Sequence, residues 1–541
     1  MQATLKTDVA IIGAGPTGLS LACQLVRHDI GFVIVDKNEG LTPFSKAIGV
    51  QARTIEIYEQ MGLAEKAVAE GAIAGKARLL EGGEVRAELD LSNLGQGLTA
   101  YPYLLLLEQS KNERLLYEFL QSHGKEVLWK TEFESLSQNE AGTTAQVTTD
   151  GGTSQNIEAK YLVGCDGPKS LVRRELGLEF QGSTLERIFF VADVLVDWKL
   201  GHDALHLCLS KNSLLAFFPL KSEKGETRYR IVGTFPEEFA KDEADILYEE
   251  IEQRIKDEAQ VELDITRVVW FSTYKVHTRH VNKFSEGSCF LAGDSAHIHT
   301  PAGGQGMNTG IQDGYNLAWK LALVLKGNAD AKLLETYNEE RLENARNLTR
   351  STDRMFQFLA GSEWFLAFLR TNVLPSIAKY LLSLDTVKNV IFPLVSQIGI
   401  NYRHSSLSQH SGDENFQVKA GDRMPYFLVD GKSVYDKLHE PKFHLLNIID
   451  DLDAQKDDRS LKKELESQYG ELVDFNIIPL DHKVADVFGT DQAFSVLLRP
   501  DNYIGALSKE TALSGVGVYL KEFVAHLQPG GDHNAGPDFR S

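Results

Sequence analysis

The sequence predicts an α/β protein with an antiparallel sheet inserted into its first domain and a second α/β domain at its C-terminal end. Three observations predict it. Residues 9–36, VAIIGAGPTGLSLACQLVRHDIGFVIVD, read as strand, glycine turn, helix and strand. Between about 180 and 275, runs such as RIFFVADVLVDW, SLLAFFPLK and ITRVVWFSTYKV are strand-like and rich in β-branched and aromatic residues. After about 406, strands such as KFHLLNIID and LVDFNIIPLD return, with a closing helix in GVGVYLKEFVAHLQP.

The opening stretch binds a dinucleotide or is an ordinary βαβ unit. Val9 to Ile12 is an apolar run long enough for one buried strand. Gly13, Gly15 and Gly18 give the spacing that permits a tight turn, close approach of a pyrophosphate, and close helix packing. Pro16 suits a first helical position, which needs no N–H. The helix would aim unpaired N–H groups and its positive end at the phosphates. Asp36 lies 18 residues after Gly18, near the ~20 expected for the acid that holds ribose hydroxyls. These features suit NAD and the AMP half of FAD equally.

The whole chain narrows the class. Its 541 residues allow two to four domains. Hydrophobic residues make up 43% and charged residues 24%, an ordinary globular balance. The formal net charge of −20 argues against a nucleic-acid surface, whose phosphates it would repel. No apolar run approaches the ~20 residues of a membrane span, and the N-terminal apolar run belongs to the glycine turn rather than to a signal peptide. Cys23, Cys165, Cys208 and Cys289 form no C-x-x-C pair, which fits a reducing cytoplasm and no zinc cluster.

Along the chain, an amphipathic helix starts at Gln109, and KEVLWKTEFESLSQ and TAQVTTDGG read as antiparallel strands. KYLVGCDGPKSLVRRELG is a strand, a turn and a helix start. GMNTGIQDGYNLAWKLALVLKG is a long helix closed by Gly327. Residues 330–400 read as helical. Their apolar part, SEWFLAFLRTNVLPSIAKYLLSL, suits packing on the body or a homodimer contact better than a membrane surface, because Pro375 interrupts it. SSLSQHSGDENFQVKAGDRMP reads as a polar linker.

A second stretch decides between cofactors. In GSCFLAGDSAHIHTPAGGQGMNTGIQDGYNLAWKLA, residues 287–322, Asp294 follows a strand at its carboxyl end, where open α/β sheets bind ligands. Its carboxylate can accept from a polyol, with a turn or helix cap as the plainer reading. Gly303, Gly304 and Gly306 form a compact loop that opens a helix, whose N-terminus favours an anion. A flavin offers both a ribityl polyol and a ring anion; NAD offers neither. His297 and His299 lack a supporting ligand set for a metal, and His297 reads as structural. Arg279 either approaches the flavin or solvates a turn. Asp166-Gly167 is a functional turn or a plain one.

These residues resemble the class A flavoprotein monooxygenases of the p-hydroxybenzoate hydroxylase fold, in the phenol hydroxylase and polyketide hydroxylase branch. GDSAHIHTPAGGQGMNTGIQDGYNLAWKL looks like the family's second FAD motif, and GCDGPKSLVRRELG like its Asp-Gly motif, with Asp166 and Arg173 matching. The likeness covers residues 1 to about 350. The remainder resembles the branch's thioredoxin-like domain, which lacks redox cysteines in the family too. The resemblance implies a discontinuous, Rossmann-like FAD-binding domain of the GR2 type over 1–180 and 276–350. It places a substrate-binding β-sheet domain over 75–105 and 181–275, a helical segment over 351–405, and the thioredoxin-like domain over 406–541.

The resemblance also implies positions. Gly13, Gly15 and Gly18, with Pro16 and Thr17, would flank the pyrophosphate. Asp36, where the family usually has Glu, would hold the adenosine ribose, with Lys37 beside it among the cofactor-binding residues. Gln109 matches the glutamine of the third FAD-contacting helix, and Asp166 belongs to the same binding set. Asp294 would hold the ribityl chain and Pro301 would lie beside the flavin. Gly304, Gly306, Met307 and Asn308 would offer backbone to the pyrimidine edge. Lys46 falls where the family usually has an Arg touching the mobile flavin, and it loses the planar fork.

The activity so implied is reduction of FAD by NADPH or NADH, capture of O₂ as a flavin C4a-hydroperoxide, and hydroxylation of an aromatic small molecule. The flavin carries the chemistry, so no catalytic side chain is assigned. Ile48 stands where simple phenol hydroxylases carry an Asp, which favours polycyclic or antibiotic-like substrates. His206, Phe218 and Arg230 of the inserted sheet are candidate pocket residues. The alternatives are a flavin reductase or dehydrogenase without oxygen insertion, and a flavoprotein that sequesters a ligand.

Overall fold

The computed structural model describes residues 4–44, 47–209, 213–222, 225–236, 241–360, 385–450, 455–511 and 513–524. The expected apolar stretch 362–384 and Lys46 lie outside these residues. The chain forms two compact units, one of residues 1–318 and 337–400, the other of 319–336 and 401–541.

The first unit is built on a mixed sheet whose centre is parallel. Thr4–Ile12 pairs with Phe32–Val35 on one side and Ser154–Gly164 on the other, and the latter pairs with Cys289–Leu291. The register puts Ile12 opposite both Val35 and Gly164, and Gly164 opposite Leu291. All four strands therefore end at one level, and the turns that follow them start side by side. An antiparallel hairpin, Glu132–Asn139 with Gly142–Thr148, continues the sheet from Ser154–Ala159. The apolar centre of Thr4–Ile12 is buried without exception from Val9 onward, as its run of apolar residues requires.

The inserted sheet has eight strands and is antiparallel except for one parallel pair, Leu205–Leu209 with Lys76–Glu81. Its spine is two 19-residue strands, Phe180–Trp198 and Leu263–Val281, paired along their whole lengths. The helix Tyr248–Ala259 seals one face with Ile251, Ile255 and Ala259, which pack on Phe190, Ala192, Phe217 and Ile231. Side chains alternate along a strand, so Asp193, Phe218 and Arg230 stand on the other face. A three-stranded sheet of Gly49–Val50, Leu104–Leu106 and Ala72–Ala74 supplies apolar side chains to that second face.

The second unit holds a four-stranded sheet in the order Val473–Pro479, Phe443–Ile449, Phe494–Leu498, Ile504–Ser508. The first pair is parallel and the others antiparallel. Both faces are covered. Leu445, Leu497 and Tyr519 pack in one layer with Trp319, and Leu446, Ile448 and Phe494 in the other with Phe488. The polar run 405–425 is a correction to the expected linker. Phe416, Ala420 and Met424 in it are buried, Asp413 accepts from Ala420 N and from His410 Nδ1, and single bridges tie Gln409 to Ala506 and Arg423 to Tyr503. Its Asp, Ser and Gly content signals irregular backbone, which side chains here satisfy internally; it does not signal exposure.

Among the described residues no helix is long and apolar enough to cross a membrane. At the heart of the second unit, Arg499 gives two hydrogen bonds to Asp501 at 2.9 and 2.5 Å, within 5.3–5.5 Å of the rings of Trp319, Tyr402 and Tyr503. Both members are buried, so Arg499→Met leaves the Asp501 carboxylate buried without its cation, although Trp319 Nε1 still donates to it. That change is expected to cost about 3–5 kcal/mol, read as a lower urea midpoint.

Candidate functional site

The turns at the carboxyl ends of the four parallel strands carry Gly13, Asp36, Asp166 and Asp294, so the register alone brings the separate motifs together. The three glycines of the first turn have different reasons. Gly13 sits at φ +106°, where a Cβ would lie 2.3 Å from Cys165 O. A Cβ on Gly18 would lie 2.0 Å from Gly13 O. Gly15 has an ordinary φ of −74°, and a Cβ there would meet nothing within 4 Å. The fold demands the first and third glycines; the second keeps space clear at the start of helix Pro16–Arg27. Gly15 caps that helix without a side-chain bond, so its leading N–H groups stay available to an anion.

Asp36 holds the same turn. Its Oδ2 accepts from Ala14 N at 2.7 Å and its Oδ1 from Asn38 N at 2.9 Å. Lys37 is exposed beside it. Thr17 fills the gap between two glycines of the second motif: a Cβ on Gly293 or Gly310 would come within 2.3 Å of its Oγ1. Its placement is therefore a packing contact between motifs.

Asp294 follows Gly293, which sits at φ +62°. Solvent reaches its side chain, yet protein surrounds it closely enough that burial raises its pKa, with His297 opposing and Asp313 adding to the rise. Its carboxylate has no hydrogen bond to the protein among the described residues. Beneath it lies a group that the sequence reading missed. Asp313 accepts from His297 Nε2 (2.7 Å), Arg341 Nε (2.6 Å) and Gly293 N (2.8 Å), all buried. Burial pushes the Asp313 pKa up, but Arg341 and His297 outweigh it and hold it low. His297 is thereby a fixed support. Asp313 lies in the quoted motif, but Arg341 is 28 residues away, and only the packing of its helix on the sheet pairs them.

The glycine loop is held from below. Gly303 and Gly304 sit at φ +77° and +62°, Gly304 N donates to Pro301 O, and Pro301 and Gly304 are exposed. Asn308 is fully buried and spends its side chain on the fold: Oδ1 accepts from Gln51 N and Thr54 Oγ1, and Nδ2 donates to Gly49 O and Gly304 O. Gln51 Nε2 adds a bond to Gly303 O at 2.8 Å. Gly49, Gln51 and Thr54 hold the glycine loop, a role that the sequence reading did not assign to them. Met307 Sδ accepts from Asn112 Nδ2, and Gly306 begins the helix Gly306–Leu325. What the loop leaves for a ligand is its backbone and the helix N-terminus.

Other expected positions are committed to the scaffold. Gln109 bonds Glu113 through its side chain and Ala47 O through its N–H. Asp166 accepts from Ser170 Oγ, Leu171 N and Val172 N, capping the short helix Leu171–Glu175. Arg173 donates to Ser295 O and Pro168 O, joining that turn to the Asp294 turn. Arg279 donates to Thr184 Oγ1 and stands opposite Ile298 in the sheet. His299 Nδ1 faces Thr300 O, which makes Nδ1 the donor and leaves Nε2 buried without a partner among the described residues. Burial lowers its pKa to about 4, with His297 adding to the drop.

The sequence profile of the FAD binding domain family matches residues 6–352. The chain belongs to that family. It is 31% identical to a 6-methylpretetramide 4-monooxygenase of Streptomyces rimosus across 96% of this chain and 94% of that protein. It is 33% identical to a flavin-dependent monooxygenase of Mycobacteroides abscessus across 81% and 88%. Among solved structures, an anhydrotetracycline hydroxylase from Streptomyces rimosus superposes with a TM-score of 0.74 at 28% identity, over 96% of this chain and 99% of that one.

The residues present fit FAD. The clear space at Gly15 suits a pyrophosphate, the unpartnered Asp294 suits a polyol, and the helix that begins at Gly306 suits an electron-rich ring edge. Against the glycine loop stands an apolar wall. Ile48 and Leu220 are buried with Leu106 and Ala74, and Phe218 and Leu104 pack on them half-exposed. Gly49, the neighbour of Ile48, lies 3.8 Å from the position of a Cβ on Gly304.

Two of the four expected pocket residues need correction. His206 points to the sealed face: it pairs opposite Phe217 and meets the rings of Trp198 and Tyr229 at 4.8 and 6.0 Å. The two-residue period of the strand puts it on the side away from Phe218. Burial, aided by Arg78, lowers its pKa to about 4. Arg230 is on the right face but is not free for a ligand. Its Nε and Nη2 grip both oxygens of Asp193 at 2.7 and 2.9 Å, and its Nη1 holds Ala47 O at 2.9 Å. Arg230 fixes the wall next to Ile48.

Gly15→Val is expected to keep the apoprotein within about 0.5 kcal/mol of the parent while weakening FAD binding about tenfold or more by occupying the phosphate space. Gly18→Ala instead costs about 1–3 kcal/mol of stability, because its Cβ meets backbone. Urea unfolding and flavin fluorescence titration separate the two effects. His206 and His299 stay neutral in the fold down to about pH 4 but charge near pH 6.5 when unfolded. Unfolded chains then bind more protons, so this stability is complete above pH 6.5 and is lost as pH falls toward 4. The expected slope is about 1.4 kcal/mol per pH unit for each histidine, and His206→Gln removes its share in urea titrations at pH 7 and pH 5.

Proposed function

We propose that this chain is an FAD-dependent monooxygenase that uses NAD(P)H and O₂ to hydroxylate an aromatic, polycyclic small molecule. The observation that carries the reading is the junction at Gly49. There the apolar wall of Ile48, Phe218 and Leu220 meets the glycine loop at the head of helix Gly306–Leu325. FAD, when bound, accepts hydride from NAD(P)H and activates O₂. Every other contribution comes from the protein. Asp294 accepts the polyol hydroxyls and sets the depth of the ring. The leading amides of Gly306 and Met307 favour negative charge at the ring edge. The apolar wall excludes water from the reacting centre and orients an aromatic face. Asp36 keeps the glycine turn closed through Ala14 and presents its edge to the adenosine ribose.

The substrate class rests on the wall and on the relatives. Ile48 offers no proton acceptor to a simple phenol, and two relatives, matched over 96% and 73% of this chain, are named for 6-methylpretetramide and for dehydro- and anhydrotetracycline. We read the second unit as a thioredoxin-like domain without redox function. Its strand order and its helices after the first, second and fourth strands support that reading, and no cysteine lies in residues 401–541. The four cysteines are buried and free, which supports a reducing, cytoplasmic setting.

Purified protein is expected to be yellow. Among a panel of tetracyclines, anthraquinones and simple phenols, the polycyclic members should stimulate NAD(P)H oxidation and gain one oxygen atom by mass spectrometry. Stimulated NAD(P)H oxidation without any oxygenated product would overturn the monooxygenase reading. Phe218→Ala should raise KM for the accepted substrate by about tenfold with FAD affinity unchanged.

A further inference from the structure

The helix Asp385–Ser396 and the turn after it take no part in any motif, yet they reach the glycine loop. Gln397 is 2% exposed and holds a left-handed backbone at φ +63°. A non-glycine residue pays about 1–2 kcal/mol for that conformation, and it persists where surrounding contacts over-determine it. Here they are visible. Gln397 Nε2 donates to Thr309 Oγ1 at 2.9 Å and to Gln305 O at 3.4 Å, and its Oε1 accepts from Gln312 Nε2 at 2.6 Å. Gln305 O also accepts from Thr309 N and Oγ1. One side-chain amide therefore ties the residue before Gly306 to the first two turns of the helix.

Five residues earlier, Phe392 packs on a loop that leads to the apolar wall. Phe392 sits where a Cβ on Gly95 would be, 2.1 Å from Phe392 Cε1. It packs in a cluster with Leu94, Leu98, Tyr101 and Ala52. The loop that carries Leu94, Leu98 and Tyr101 runs into strand Leu104–Leu106, which lines the apolar wall.

We propose that Gln397 is a positioning residue for the flavin ring: it fixes the angle of the Gly303–Gly306 loop and its leading amides, and Phe392 links that setting to the substrate wall. No contact of Gln397 with flavin or substrate is involved. The inference rests on the flavin reading above.

The test compares Gln397→Met, which keeps shape and removes the amide, with Gln397→Gly, which relaxes the backbone and also removes the amide. Both are expected to raise the FAD dissociation constant roughly five- to tenfold, the size of a lost hydrogen bond. Both should also make the flavin midpoint potential more negative, and lower the share of NAD(P)H converted to hydroxylated product, with little change in substrate KM. A purely structural role would lower melting temperature and leave the potential unmoved. The proposal is overturned if Gln397→Met matches the parent in affinity and potential, or if Gln397→Gly does so, which would assign the effect to backbone alone. Should both fail to fold, Gln312→Leu frees the same amide from its far side and must show the same shifts. A parent protein that binds no FAD would sink the flavin reading itself, whereas a normal parent with unchanged variants sinks only this inference.

Discussion

Four parallel strands end at one level, because Ile12, Val35, Gly164 and Leu291 are register neighbours in one sheet. The backbone ladder that sets this register is the constraint on which the site depends. A slip of one residue would move each side chain of Val9–Ile12 to the opposite face of the sheet. It would also separate turns that lie up to 280 residues apart in sequence. Because the ladder holds, the glycine turn, Asp36, the Asp166-Gly167 turn and Asp294 form one edge of the sheet. Cross-ties then stiffen that edge: Asp36 to Ala14, Arg173 to Ser295, and Thr17 wedged against Gly293 and Gly310.

Two buried polar groups do the remaining positioning, and each is satisfied from several directions. Asp313 takes bonds from His297, Arg341 and Gly293, while Asn308 uses both ends of its amide on Gln51, Thr54, Gly49 and Gly304. A buried polar group that is fully paired specifies one arrangement, and an unpaired one is costly. Asp294, by contrast, has no hydrogen bond to the protein among the described residues. The same logic sorts the arginines. Arg230 and Arg341 are bound to carboxylates and serve the scaffold.

The inserted sheet shows how period-2 alternation divides labour. One face closes on helix Tyr248–Ala259, and the other keeps Phe218 half-exposed against Ile48 and Leu220. His206 and Phe218 are both in strands of this sheet and both resemble pocket residues by type. Their faces differ because pairing opposite Phe217 commits His206 to the sealed layer. Nothing local to His206 announces this, since the pairing partner is set by the hairpin.

The sequence by itself determined the elements whose signal is local. The glycine turn, the apolar strand before it, the helix from Gln109, the strands of the insertion and the strand and helix on either side of Asp294 all read correctly, because turn chemistry and periodicity act within a few residues. It did not determine what long-range packing decides. The Arg341–Asp313 pair, the Gln51 and Thr54 clamp on Asn308, the commitment of Arg230 to Asp193, and the ordered run 405–425 join residues whose distance along the chain carries no pattern. Their partners are chosen by sheet register and helix docking. Burial then makes each pairing obligatory, which is why only the tertiary structure separates the groups that hold the fold from those left for a ligand.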